Sequence, residues 1–198
     1  MRIILTRRKA IAGALAVLAL PAYAAPQPYV LVKDRSTISF GFDASGAPQT
    51  GTVPVETANI SVDPRNLAAS SARVTADVRQ ASTGLIFATQ AMKSKAVLDA
   101  DNHPIVSFTS QSIQLGARGR ISEGAKITGR LTLRGVTKTL ELDAVLSRPA
   151  GSSPDDLSVL FVKLSGALSR SAFGATGFAD LVADTVTLDI RAEIRRQS

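Results

Sequence analysis

The stretch Ile121–Ala144, I-S-E-G-A-K-I-T-G-R-L-T-L-R-G-V-T-K-T-L-E-L-D-A, decides the fold. Side chains alternate across an extended backbone, so Ile127, Gly129, Leu131 and Leu133 share one face, with Thr128, Arg130, Thr132 and Arg134 on the other. The pattern breaks at Arg134-Gly135 and resumes with Leu140, Leu142 and Ala144 opposite Glu141 and Asp143. Two half-apolar strands around a short glycine-containing turn make a β-hairpin. What its apolar face encloses becomes the functional question.

The same alternation recurs outward from this hairpin. Val74, Ala76 and Val78 oppose Arg73, Thr75, Asp77 and Arg79; Val186, Leu188, Ile190, Ala192 and Ile194 oppose Thr187, Asp189, Arg191 and Glu193. Tyr29–Val32, Thr37–Phe42, Thr52–Glu56, Asn59–Asp63, Ile105–Ile113, Gln114–Arg120 and Leu157–Ser169 also read as extended, and Pro54 marks an edge or bulge. Ala44–Gln49, Arg148–Asp156 and Phe173–Ala183 read as loops. Over Gly84–Lys95 the period changes: Leu85, Ala88 or Thr89, and Met92 recur at helical spacing, predicting one short helix after Ser82-Thr83-Gly84. Asn102-His103-Pro104 then stops it. Evenly spaced antiparallel strands with a single helix define an all-β chain, either a closed barrel or a sandwich.

The first 24 residues are set aside from this reading. Arg2, Arg7, Arg8 and Lys9 form a basic head, Ala10–Leu20 is an uncharged apolar run, and Ala22-Tyr23-Ala24 offers small residues for cleavage. The expected division is therefore a cleaved signal peptide over residues 1–24 and one barrel domain over residues 25–198, exported to the periplasm. Thr6-Arg7-Arg8 carries a twin-arginine pair, although Ala10 and Ala12 match the rest of that signal weakly. The leader holds four basic groups and no acid, so its removal lowers the formal charge from +7 to +3. No basic stripe interleaved with aromatics remains, which argues against nucleic acid as a partner. The chain has no cysteine, so its fold rests on its core and not on disulfides.

Catalytic and metal chemistry find no support. His103, the only histidine, has no nucleophile elbow or cysteine to serve and reads as a turn residue before Pro104. One histidine without cysteine cannot assemble a zinc or copper site of the usual kind. Asp99, Asp101 and Asn102 do not fall at a calcium-loop spacing, and Asp155-Asp156 reads as a solvated loop. No catalytic residue, metal or cofactor is assigned.

Apolar sequestration remains. About eight strands close to an interior that fills with side chains or holds one small ligand. Inward positions are mostly aliphatic or glycine, and seven Phe, two Tyr and no Trp are available to plug them. From composition alone, a packed core and an apolar cavity both stay open. The candidate lining residues are Phe40, Phe42, Leu85, Met92, Phe108, Leu131 and Phe173. Arg170, Lys93 and Lys95 are candidates to face a polar head group.

The order of the motifs resembles the YceI-like family of exported, lipocalin-like barrels. The similarity spans Tyr29 to Ile194: Tyr29-Val30-Leu31 with Asp34, Ser36, Thr37, Ile38 and Phe40; Ser82-Thr83-Gly84 with Met92, Lys93, Ser94 and Asp99; His103-Pro104 with Ile105 and Phe108; Gly129 to Lys138; and Ser169-Arg170 with Phe173-Gly174. The resemblance implies an extended antiparallel eight-stranded barrel whose interior takes an isoprenoid or quinone-like lipid for storage, transport or shielding. Transient contact with a membrane is a further expectation. Where the family's helix often carries Asn, Asp and His, this chain has Leu85, Thr89 and Ala91, so a more apolar mouth is expected. The alternative is a stress-related protein-interaction module with a filled barrel.

Overall fold

The computed structural model describes residues 26–116 and 123–197. The expected signal peptide and the segment from residue 117 to 122 lie outside the described residues. Among the described residues, ten strands and one α-helix follow in order: β1 (Gln27–Leu31), β2 (Thr37–Ala44), β3 (Ala47–Val53), β4 (Val55–Val62), β5 (Ser71–Asp77), α1 (Ile86–Lys93), β6 (Ile105–Leu115), β7 (Ala125–Leu133), β8 (Val136–Ser147), β9 (Val159–Ser169) and β10 (Thr185–Arg196). They form one antiparallel sheet in the order β1-β4-β5-β6-β7-β8-β9-β10-β2-β3, and β10 also pairs with β1. That last pairing closes the sheet into a barrel.

The ten segments make eight staves. β1 and β2 are two parts of one stave, interrupted by a 3-10 turn over Lys33–Arg35, and both pair with β10. β3 and β4 are likewise one stave broken at Pro54, which has no N–H to give to a ladder. At the first interruption the Ser36 hydroxyl takes the place of a ladder bond, accepting from the Glu193 N–H at 3.1 Å and donating to the Val32 carbonyl at 2.8 Å.

The hairpin read from the sequence is β7–β8. Leu133 pairs with Val136 across a two-residue turn in which Arg134 and Gly135 both have positive φ, the primed geometry that matches strand twist. A second such hairpin joins β2 to β3 through Ser45-Gly46, so most of the expected Ala44–Gln49 loop is strand. The expected Ile105–Ile113 and Gln114–Arg120 strands begin as a single strand, β6. A register shift between Ser110 and Ser112 flips its alternation there, so Val106 and Phe108 face inward before the bulge and Ile113 and Leu115 after it. The helix starts two residues later than expected. Thr83 does not cap it; its N–H donates instead to the Thr89 hydroxyl at 3.0 Å.

Most outward positions are polar or charged, including Lys126, Arg130, Glu141, Asp143, Lys163 and Arg191, while most aliphatic residues point inward. This is the reverse of a lipid-facing barrel wall, which carries its apolar residues outside. Among the described residues, no helix is long and apolar enough to cross a membrane.

Candidate functional site: an apolar cavity open at one end

One end of the barrel is plugged. Tyr29, Val62, Leu160 and Ile194 form a buried cluster there with Leu31, Ile60, Leu67, Leu146, Leu157 and Val162 packed on it. The Tyr29 hydroxyl anchors the loop below by donating to the Leu157 carbonyl at 2.6 Å, and burial pushes its pKa up. Above this floor the interior is hollow. A cavity of about 740 Å³ runs toward the other end, within the size range of small-molecule sites. It is not a filled barrel.

The wall is hollow because large inward side chains lie over glycines on the neighbouring strand. A Cβ built on Gly51 would fall 2.3 Å from Phe40 Cζ, and one built on Gly129 would fall 2.3 Å from Phe108 Cζ. Leu142 Cδ2 covers Gly166 in the same way, at 2.8 Å. Each ring or branch rests against the sheet where a Cβ would otherwise hold it off. Phe40 and Phe42, two apart on β2, share the inward face with their rings 6.2 Å apart and nearly parallel.

Three hydroxyls on the lining, those of Ser36, Ser70 and Ser110, are already engaged. Besides Ser36, the Ser70 hydroxyl accepts from the Asp63 N–H at 3.0 Å and the Ser110 hydroxyl from the Ala72 N–H at 2.9 Å. Arg170 is 7 % exposed and borders the cavity. Its guanidinium donates to four backbone carbonyls, those of Ala175 at 2.6 Å, Gly177 at 2.7 Å, Val182 at 2.8 Å and Ala183 at 3.1 Å. It therefore serves as a staple that folds the 171–184 segment over the barrel end, and little of its donor capacity is left for a ligand. Asp184 continues the same corner, its carboxylate held low by hydrogen bonds from Ser169 and Ser171.

The open end is covered in part by two pieces. Helix α1 turns Ala88, Ala91 and Met92 inward, followed by Val97 and Leu98. The 171–184 segment meets it through the Gly177 N–H, which donates to the Ala96 carbonyl at 2.8 Å. Among the described residues, β3 has β2 on one side and, on the other, only a bridge between Thr52 and Ser82.

Of the residues singled out from the sequence, Phe40, Phe42, Met92, Phe108, Leu131 and Arg170 line the cavity. Leu85 does not: it precedes the helix and points to solvent, 57 % exposed. Phe173 does not reach the cavity surface either. It sits in a 3-10 turn and forms a buried cluster with Leu131, Leu140 and Leu142. Lys93 and Lys95 are absent from the lining, and Arg170 is committed to carbonyls. Sequence reading missed Phe87, Phe178 and Leu181, which border the cavity while remaining exposed. Their signal was apolar residues placed where turns and helix starts favour polar ones.

A closed β-barrel with an apolar hollow and one open end defines a binding protein of the lipocalin-like class. A sequence model of the YceI-like domain matches residues 29–194, and the chain belongs to that family. It is 33% identical over 84 residues to a UPF0312 protein of Pectobacterium carotovorum subsp. carotovorum (strain PC1), a match covering 42% of this chain and 41% of that relative, so it spans well under half the relative's length. The fold is similar to BcnA of Burkholderia cenocepacia, with a TM-score of 0.71 and 20% identity over 83% of this chain and 99% of that one. It is also similar to a polyisoprenoid binding domain from Saccharophagus degradans implicated in plant cell wall breakdown, at 0.61 and 13% over 86% and 99%. A YceI protein of Campylobacter jejuni matches at 0.59 and 19% over 96% and 94%.

Proposed function

We propose that the barrel shelters the hydrocarbon tail of one isoprenoid or quinone-like lipid in the periplasm, after export directed by residues 1–24. Binding, and not catalysis, is the activity. The observation that carries this reading is the hollow itself: about 740 Å³, open at one end and faced almost entirely by aliphatic and aromatic side chains. Membership of the YceI-like family and a structural neighbour described as polyisoprenoid binding support it.

Phe40, Phe42, Met92, Phe108 and Leu131 form the tail's wall in this reading, with Met92 adapting to an irregular chain. Because Ser36, Ser70, Ser110 and Arg170 are already hydrogen-bonded, the head group stays at the mouth. Each methylene moved out of water contributes about 0.8 kcal/mol, so the tail supplies the affinity and the head group tunes it. A series from geraniol to farnesol to geranylgeraniol tests this by isothermal titration. Affinity should climb steeply with each isoprene unit until the cavity is full. A flat series would contradict tail burial.

A further inference from the structure

We infer that the open end of the barrel is a membrane-docking rim that seats on a lipid bilayer, so that a tail passes between bilayer and cavity without crossing water; this rests on the proposed lipid binding. Among the described residues, nine large apolar side chains are exposed, and five gather at this end: Leu85 at 57 %, Ile86 at 75 %, Phe87 at 85 %, Phe178 at 48 % and Leu181 at 56 %. The other four, Val30, Val136, Val145 and Phe161, lie singly on strands. A clustered apolar surface is the informative kind; scattered ones need no explanation.

The two rim segments are fixed on opposite flanks of the β2–β3 hairpin. Ser82, just before the first, exchanges two backbone hydrogen bonds with Thr52 at 2.8 and 2.9 Å. In the second, the Leu181 carbonyl accepts from the Ser45 N–H at 2.7 Å, and Val182 bridges to Ala44. The rim is therefore held in place on the barrel and not carried by a free loop. It is also continuous with the interior, because Phe87, Phe178 and Leu181 face solvent and line the cavity at once. A tail leaving the hollow meets these side chains first.

The choice of a bilayer over a second copy or another protein follows from size and from the walls. A stable protein interface takes about 800 Å² and 20–30 residues from each partner, and this rim offers five side chains flanked by charged barrel walls. Apolar side chains carried by two segments beside the cavity mouth match instead the shallow insertion of aromatic and aliphatic groups into the headgroup boundary.

The chain contains no tryptophan, so an introduced indole is a clean reporter. With vesicles of phosphatidylethanolamine and phosphatidylglycerol, Phe87→Trp should shift its emission to the blue and be quenched by brominated acyl chains. Phe161→Trp, on the barrel wall, should do neither. Ile86→Ser, which changes a rim residue outside the cavity lining, should lower vesicle co-sedimentation about tenfold while taking up farnesol from solution as the unaltered protein does. A silent Phe87→Trp reporter, or identical responses at both positions, would overturn docking, and would leave lipid binding standing if farnesol is still taken up. Docking without farnesol uptake would support the rim and remove the cavity reading. Burial of the Phe87→Trp indole in a dimer, without vesicles, would overturn the bilayer assignment.

Discussion

Phe108 lies across Gly129 of the adjacent strand, its Cζ 2.3 Å from where a Cβ would stand. The hollow depends on such pairs, because a ring laid on the wall leaves the lumen free. The Thr109 carbonyl oxygen, 2.6 Å from the same point, blocks the other way out. Gly129→Ala should therefore drive the ring into the lumen, lower stability by about 1–3 kcal/mol as overpacking does, and weaken tail uptake. Urea denaturation and farnesol titration measure the two effects. Phe108→Leu, which relieves the wall, should keep uptake.

Filling the cavity should separate fold from function. Ile127 faces the hollow from β7, and Ile127→Trp extends into open space instead of a packed core. Circular dichroism should show an intact barrel, while lipid uptake falls in proportion to the volume lost. Unchanged uptake would place the ligand elsewhere.

Arg170 presents a different case: a buried cation whose partners are carbonyls. Arg170→Met leaves the acceptors of Ala175, Gly177, Val182 and Ala183 without donors, each costing about 1–3 kcal/mol when it stays buried. A loss of about 3–5 kcal/mol is expected, since part of the segment will reach water. Arg170→Lys should not restore it, because an ammonium lacks the planar fork. Hydrogen exchange at residues 175–183 should rise first.

Stability should fall in acid for a nameable reason. Glu193 is 3 % exposed, and hydrogen bonds from Arg195, then Arg35, hold its carboxyl below the usual range. Arg79 does the same to Asp77. A depressed folded pKa means the unfolded chain binds the proton more readily, so this stability is complete above the ordinary carboxylate value of about 4 and drains away as pH falls through the lower folded values. Thermal midpoints between pH 2 and 7 should show the decline, and Glu193→Gln should flatten it.

Much of the architecture was legible because alternation is local. The β7–β8 turn at Arg134-Gly135, the inward face of β10 and the helix around Met92 follow from neighbours a few residues apart. The bulge at Ser110–Ser112 was not legible: inserting one residue reverses facing without changing composition. The placement of Phe108 over Gly129 joins residues twenty-one apart in sequence, a pairing no periodicity encodes. Leu85 was misplaced because the helix begins later, which rotates Ala88, Ala91 and Met92 inward and leaves Leu85 outside. Arg170 was read as a head-group contact because backbone carbonyls, its actual partners, leave no trace in residue identity.

The central claim is that this hollow holds a hydrocarbon tail. Native mass spectrometry of the delipidated protein incubated with geranylgeraniol tests it directly. One ligand per chain should be retained in the unaltered protein and lost in Ile127→Trp. Equal retention by both, or none by the unaltered protein, would contradict the account.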